Sequence, residues 1–151
     1  LDLLALAIGS EGMLLFVTEV TVRLVPLPQV ARCIVASFAD VGVAGDAVAA
    51  LIAAGIVPAG LEMLDQAGAR LVEPHAQAGY DLDAAAVLLC ESDGTPVEVE
   101  EEIARMSEVL RAAGATRLQV SRDEAERQRF WAGRKNAFPA AGRAAPAYYC
   151  M

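Results

Sequence analysis

The chain has 151 residues, of which 56% are hydrophobic, and it carries a net charge of −8 at neutral pH. This length and apolar content suffice for the core of one domain and exclude a disordered tail. The acidic balance argues against a nucleic-acid partner, because phosphate binding requires a broad basic surface.

The first 28 residues are predicted to end one domain, and the remainder to form another. Residues 1–8 are apolar and favour a helix or an extended segment, and a turn of small residues follows at 9–12. Alternation of β-branched and polar residues over 13–27 predicts a strand. Pro26 and Pro28 end this strand as a stiff linker, which puts the domain division near residue 28.

After the linker, strands and helices alternate. Strands are predicted at 30–38, 56–64, 84–91 and 116–121, and helices at 41–54, 65–78, 96–113 and from 123 onward. No strand leads into a GxGxxG or Walker-type loop, so no nucleotide fingerprint of that kind is present. Doubly wound parallel folds share this order, but the short elements and the four strands favour the α+β class. The expected architecture is a ferredoxin-like sandwich, an antiparallel sheet with helices on one face.

The single histidine and the three cysteines predict neither a metal centre nor a disulfide framework. Cys33 and Cys90 lie within apolar runs and are predicted to be buried, reduced thiols on strands. This cysteine usage indicates a reducing, cytoplasmic compartment. No apolar run is long enough to be a transmembrane segment. The strand-like run at 148–151 has no closing turn, so we expect the chain to be a fragment of a longer polypeptide.

The segment from residue 121 to residue 143 concentrates basic charge, with six of the twelve basic and three of the twenty acidic residues. At about 100° per residue, one helical stripe holds Glu124, Arg127, Trp131, Arg134 and Phe138. Arginine offers a rigid bidentate fork to a carboxylate, so this stripe suits a small anion. The alternative is a solvated helix face with cation–π pairs.

Two stretches together resemble a known family. GSEGML at 9–14 with VTE at 17–19 resembles the end of the flavin-binding domain in FAD oxidoreductases of the vanillyl-alcohol-oxidase type. DEAERQRFWAGRKNAFPAAGR at 123–143, with PAGLEMLD, AVLLCESDG and AGAT, is similar to the C-terminal domain of glycolate oxidase D-subunits and their D-lactate dehydrogenase relatives. The resemblance covers essentially the whole chain. It implies that 1–28 end the FAD-binding domain and that 29–151 form a truncated FAD-linked oxidase C-terminal domain, the substrate or cap domain.

The resemblance implies FAD as the cofactor. Gly9, Ser10, Gly12 and the backbone near Val17 would contact the flavin, since residues without bulky side chains let backbone amides come close. The sequence departs from the family at Leu15, where glycine is usual. The implied enzyme is an FAD-dependent 2-hydroxy-acid dehydrogenase or oxidase that converts glycolate or D-lactate to the 2-oxo acid, with hydride transfer to flavin N5.

Arg134 matches the family arginine that binds the substrate carboxylate, and Trp131 and Phe138 would wall the pocket. Lys135 and Arg143 are predicted to be solvated charges beside the site. The resemblance implies no catalytic residue and no metal ligand within this chain, which is therefore expected to be inactive alone. It also implies companion subunits of a glycolate oxidase complex, through which a cytoplasmic protein would reach the inner membrane. A non-catalytic α+β domain that binds a small carboxylate or self-assembles is the alternative.

Overall fold

The computed structural model describes residues 1–144, which contain a four-stranded antiparallel sheet of order β2-β3-β1-β4. The strands are β1 (Val30–Phe38), β2 (Gly60–Asp65), β3 (Ala86–Gly94) and β4 (Arg117–Val120). The helices are α1 (Leu3–Gly9), α2 (Val41–Ala53), α3 (Gln66–Ala76), α4 (Pro96–Ala112), α5 (Glu124–Lys135) and α6 (Ala137–Ala144). The run at 148–151 lies outside the described residues.

The α+β class and the antiparallel sheet are confirmed. β1-α2-β2 and β3-α4-β4 are the two halves of a β-α-β-β-α-β arrangement of the ferredoxin-like kind, with α3 added between them. In the centre, β1 pairs with β3 in a register that puts Cys33 opposite Glu91 and Ile34 opposite Cys90. Both thiols are free and fully buried on strands, as predicted.

Helices cover both faces of the sheet, so the prediction of helices on one face is wrong. α2 and α4 pack on one face, where Ile34, Leu88 and Met106 are buried together. α3, α5 and α6 pack on the other, around Val35 and Phe130. The cause is visible in the central strands, since the continuous apolar runs of β1 and β3 have no polar face to expose to water.

The strand predicted over 13–27 is also wrong. Residues 15–28 have no regular secondary structure, and their side chains are exposed, Phe16 to 97% and Leu24 to 87%. A strand requires a neighbour that satisfies its backbone hydrogen bonds, and none of the four described strands pairs with this segment. The alternation of residue types over 13–27 favours an extended segment, but it does not show which strand would pair with that segment.

The predicted last helix is divided into two. α5 ends at Lys135, where the Asn136 side chain donates to the Ala132 carbonyl oxygen at 2.8 Å, and α6 begins at Ala137. Phe138 therefore belongs to a separate helix from Arg134, although both remain close. Across residues 1–144, no helix has the length and apolarity needed to cross a bilayer.

Candidate functional site

Helix α5 is fixed at its start by capping and along its length by burial. The Asp123 side chain accepts a hydrogen bond from the Glu126 backbone N–H at 2.8 Å, which satisfies a donor that the first turn leaves free. Phe130 is buried in the core beneath the helix, and the Tyr80 hydroxyl donates to the Phe130 carbonyl oxygen. These contacts set the rotation of α5 and decide which side chains face the sheet.

Two basic residues near the start of α5, Arg122 and Arg129, share the carboxylate of Glu126. Glu126 is buried and accepts from Arg122 Nε at 2.9 Å and from Arg129 Nη2 at 2.8 Å. The hydrogen bonds from Arg122, aided by the charge of Arg129, hold the pKa of Glu126 at about 2, well below its ordinary value. The Arg129 guanidinium also lies 6.0 Å from the centroid of the Phe130 ring. At this end, α5 has the exposed arginines and the cation–π contact that the alternative of a solvated helix face predicts.

A second cluster joins the middle of α5 to strand β3. Glu91 accepts from Arg127 Nη1 at 2.7 Å and from the Trp131 indole N–H, both on the same oxygen. Arg127 also bonds Glu124 through Nε and Nη2, each at 2.7 Å. Glu91 and Arg127 are mostly buried, so this pair connects the helix to the sheet. The indole N–H of Trp131 is thus already bonded within the protein.

The predicted substrate residue Arg134 lies at a shallow depression formed by β2, α3 and the residues around the α5–α6 junction. The depression has a volume of about 500 Å³ and is lined by β2, by Gly68 of α3, and by Arg134, Ala137 and Phe138. The Arg134 side chain is 38% exposed, and its Nε lies 3.1 Å from an oxygen of Glu62, whose side chain is 40% exposed. Phe138 is 52% exposed at the same place. The structure therefore brings Arg134 and Phe138 together.

Trp131 does not line this depression. Its ring lies over Gly60, where a Cβ would come within 2.8 Å of Trp131 Cζ2. Lys135 lies near the indole, in a small cleft with Glu91 and Arg127, and is exposed. Arg143 is likewise exposed. The Trp131 ring instead packs between helix α5 and Gly60 at the start of β2.

The predicted cofactor residues lie in the exposed segment before β1. Gly9 ends α1, the Ser10 hydroxyl donates to the Ala7 carbonyl oxygen at 2.8 Å, and Gly12 has a φ of +81°. Val17 is 62% exposed. None of these residues lines the depression of Arg134, and no residue of α1 is buried. Between residues 1 and 144, no three His, Cys, Asp or Glu side chains are grouped so that they could hold a metal ion.

Sequence reasoning missed the acidic partners Glu62, Glu91 and Glu126. A signal for Glu62 and Glu91 was present, because each is an isolated carboxylate within or at the end of an otherwise apolar strand. A charge in such a position needs a partner when a second layer covers it. Glu126 carried no such signal, since an acid in the first turn of a helix is already explained by the helix dipole.

Comparison with known proteins gives a consistent set of relatives. Residues 27–151 match the family described as "FAD linked oxidases, C-terminal domain". The chain is 57% identical to glycolate oxidase subunit GlcD of Escherichia coli over 150 residues, which is 99% of this chain and 30% of that protein. It is 36% identical to the GlcD subunit of Bacillus subtilis, covering 96% of this chain and 31% of that protein.

More distant relatives extend the set. The mitochondrial D-lactate dehydrogenase [cytochrome] of Arabidopsis thaliana is 29% identical over 99% of this chain and 26% of that protein. A solved structure of alkyldihydroxyacetonephosphate synthase shares the fold, with a TM-score of 0.54 and 13% identity over 76% of this chain and 25% of that one. The chain thus spans about 30% of the length of the curated relatives that it matches first.

Proposed function

Because the chain belongs to the family of FAD-linked oxidase C-terminal domains, we propose that it is the substrate-binding part of an FAD-dependent 2-hydroxy-acid dehydrogenase that oxidises glycolate or D-lactate. The names of its relatives support this choice, since they are glycolate oxidase subunits and D-lactate dehydrogenases. The identity of 57% with a glycolate oxidase subunit favours glycolate.

The observation that carries the proposal is the position of Arg134. Its guanidinium is partly exposed at the depression, and an aromatic side chain, Phe138, stands beside it. A guanidinium recognises a carboxylate through two parallel hydrogen bonds, which fixes orientation as well as position. An apolar neighbour lowers the local dielectric and strengthens that contact. A small 2-hydroxy acid has the carboxylate that such a site requires.

The turn at residues 9–12 fits the approach of a flat ring system such as a flavin. Glu11 and Gly12 adopt the left-handed backbone region, with φ of 48° and 81°. A Cβ built on Gly9 or Gly12 would meet no atom within 4 Å, so both glycines present open backbone. Gly9, Ser10, Gly12 and the backbone near Val17 are the residues that we propose to contact it.

In this proposal the residues of the chain orient the substrate and take no part in proton transfer. Arg134 holds the substrate carboxylate so that the carbon bearing the hydroxyl group points away from the helix, and Phe138 excludes water from one side. Trp131 keeps β2 and α5 at a fixed separation through its contacts with Gly60 and Glu91. A bound flavin would supply the two-electron acceptor. We assign no general base within this chain.

The domain organisation follows the same proposal. Residues 1–28 belong to the end of the FAD-binding domain and 29–151 to the substrate domain. The exposed apolar side chains before β1, which include Leu3, Phe16 and Leu24, would then pack against the rest of the flavin-binding domain. We also propose companion subunits, because the GlcD relatives are named as subunits of glycolate oxidase. The 151-residue chain alone is expected to be inactive.

The test is Arg134→Ala in the flavoprotein that contains this chain. Loss of a charged hydrogen-bonded partner should lower kcat/KM for glycolate and D-lactate by about 2 to 4 kcal/mol, which is roughly 30- to 1,000-fold. Lys135→Ala is the matched control, because Lys135 is the next residue of α5 but does not line the depression. We expect its kcat/KM to stay within about twofold of the parent.

Flavin content should be measured for each variant from its visible absorbance. An Arg134→Ala protein with normal flavin content and unchanged kcat/KM would remove Arg134 from the substrate site. Turnover of either acid by the isolated 151-residue chain would contradict the expected inactivity.

A further inference from the structure

Glu62 forms an ion pair with Arg134, the residue proposed to bind the substrate carboxylate. Its carboxylate oxygen lies 3.1 Å from Arg134 Nε, and both side chains are partly exposed at the depression. Glu62 reaches this position because neighbouring side chains of β2 alternate between the two faces of the sheet. Leu61 packs into the core with α2 and α4, so Glu62 faces α5.

The ion pair with Glu62 leaves donors of the guanidinium free among the described residues. Its shortest contact is the 3.1 Å approach of Nε to a carboxylate oxygen, and none of the side-chain hydrogen bonds formed by the described residues involves the Arg134 guanidinium. A guanidinium has five N–H donors and can bind one carboxylate side-on and another end-on. Donors of Arg134 therefore remain available for a ligand carboxylate beside Glu62.

Among the described residues, the charged groups of the depression are two carboxylates and one guanidinium. Asp65 lines it together with Glu62, and the Asp65 carboxylate is held in place because it accepts from the Gly68 backbone N–H at 2.7 Å. Among the described residues of the lining, Arg134 is the single basic one. One ligand carboxylate can bind the free donors of Arg134, but a second negative charge would meet the carboxylates of Glu62 and Asp65 without another cation among these residues to offset them.

We propose that Glu62 is a specificity-determining residue, whose negative charge beside Arg134 admits ligands with one carboxylate and rejects those with a second anionic group. The inference rests on the proposed function, because it assumes that Arg134 binds the substrate carboxylate. Glu62 thus discriminates between ligands by their charge, in addition to forming the ion pair with the Arg134 guanidinium. The repulsion between two like charges about 6 Å apart changes an equilibrium constant about threefold in bulk water and about 100-fold at the effective dielectric constant of a protein surface, so a change of about tenfold is expected for these partly exposed groups.

The test compares two ligands that differ by one carboxylate. Glycolate is the single-carboxylate probe, and tartronate, which is glycolate with a second carboxylate on the same carbon, is the dianionic probe. Binding to the 151-residue chain is followed by NMR, through the Nε–H signal of Arg134 and the backbone signals of residues 62–68. The measured quantity is the ratio of the tartronate Kd to the glycolate Kd.

The parent chain should bind glycolate at least about tenfold more tightly than tartronate. Glu62→Gln should lower that ratio about tenfold, chiefly by tighter binding of tartronate, because it removes the charge and keeps the shape. Glu62→Asp keeps the charge and should keep the preference. Glu101→Gln is the control for net charge, since Glu101 is exposed on α4, on the other face of the sheet, and it should leave the ratio unchanged.

The outcomes separate this inference from the proposed function. If Arg134→Ala abolishes glycolate binding but Glu62→Gln leaves the ratio unchanged, the role of Glu62 is wrong and the carboxylate site stands. If Arg134→Ala binds glycolate as the parent does, the proposed site itself fails. Should Glu62→Gln not fold, the parent ratio is measured from low to high NaCl concentration. Screening should reduce a charge-based preference, and a ratio that is independent of salt would overturn the inference.

Discussion

The indole ring of Trp131 lies so close to the backbone of Gly60 that a Cβ on this glycine would be 2.8 Å from Trp131 Cζ2 and 3.1 Å from Cη2. Gly60 begins the edge strand β2, and Trp131 lies in the middle of α5. The contact therefore sets the distance between the strand that carries Glu62 and the helix that carries Arg134. The close approach of the Trp131 ring to the backbone therefore requires a glycine at position 60.

Gly60→Ala should destabilise the fold and disturb the depression. The added methyl group must displace the ring, for which overpacking typically costs about 1 to 3 kcal/mol. The measurement is the free energy of unfolding in urea, followed by tryptophan fluorescence. Trp131 is the only tryptophan, so the same experiment reports on the ring directly, and its native emission should shift.

Gly45→Ala is the matched control for this substitution. Gly45 lies within α2, and a Cβ there meets no atom within 4 Å. Alanine is the better helix former, so the control should be neutral or more stable by up to about 1 kcal/mol. Equal stability of Gly60→Ala and the parent, with unchanged emission, would show that the methyl group is accommodated without displacement of the ring and would contradict the expected clash.

Glu91→Gln should weaken the attachment of α5 to the sheet. The glutamine amide can still accept from the Trp131 indole, but it loses the charged contact with Arg127, in which both partners are mostly buried. We expect a loss of about 1 to 3 kcal/mol, below the range for a fully buried pair. A double-mutant cycle with Arg127→Met checks this expectation, and a coupling energy near zero would contradict it.

The sheet and its helices were largely predictable from local sequence. Asp40 and Thr95, which cap α2 and α4, and the apolar runs of β1 and β3 mark the elements within a few residues. The same apolar runs of β1 and β3 also predict helices on both faces of the sheet, because neither strand has a polar face to expose to water. The strand at 13–27 failed because strand formation depends on a partner elsewhere in the chain, which periodicity does not reveal.

The candidate site was predictable only in part. Composition and resemblance identified Arg134, Trp131 and Phe138, but the stripe could not reveal which carboxylates lie opposite. Glu62 and Glu91 are far from α5 in sequence and are brought to it by sheet pairing and helix packing. For this reason the stripe was predicted to be electropositive, whereas the described residues show its arginines in ion pairs.

Acid should destabilise the chain partly through Glu126. Its pKa is held at about 2 by hydrogen bonds from Arg122 and by the charge of Arg129, below the value of about 4.3 for an unperturbed glutamate. The unfolded chain therefore binds the proton more readily. The contribution of Glu126 to stability is fully present above about pH 5 and is lost as the pH falls towards 2.

Glu126→Gln tests this linkage through urea unfolding between pH 7 and pH 2.5. The variant should be less stable than the parent at pH 7, and the difference should shrink as the pH falls through the range between the two pKa values. Glu101→Gln is the control, because Glu101 is exposed and forms no ion pair among the described residues. A difference between Glu126→Gln and the parent that stays constant with pH would rule out the charge of Glu126 as its source.

The ring of Tyr80 occupies the space that a side chain at position 133 would need. Gly133 is buried in α5, and a Cβ there would clash with the Tyr80 ring and hydroxyl group. That hydroxyl group donates to the Phe130 carbonyl oxygen one turn earlier. Burial raises the pKa of the Tyr80 hydroxyl well above its ordinary value, so it remains a donor at every pH at which the protein is assayed.

Substitutions at the two positions should therefore be strongly coupled. Tyr80→Phe should cost about 0.5 to 1.5 kcal/mol for the lost hydrogen bond, and Gly133→Ala about 1 to 3 kcal/mol or more for the clash. In a Tyr80→Ala background the clash disappears and only the helix propensity remains, so Gly133→Ala should then stabilise by up to about 1 kcal/mol. Urea unfolding of the four proteins in this cycle gives the coupling directly. Additive effects of the two substitutions would mean that α5 turns to accommodate the methyl group. The position of Arg134, which follows Gly133 in α5, would then not depend on Tyr80.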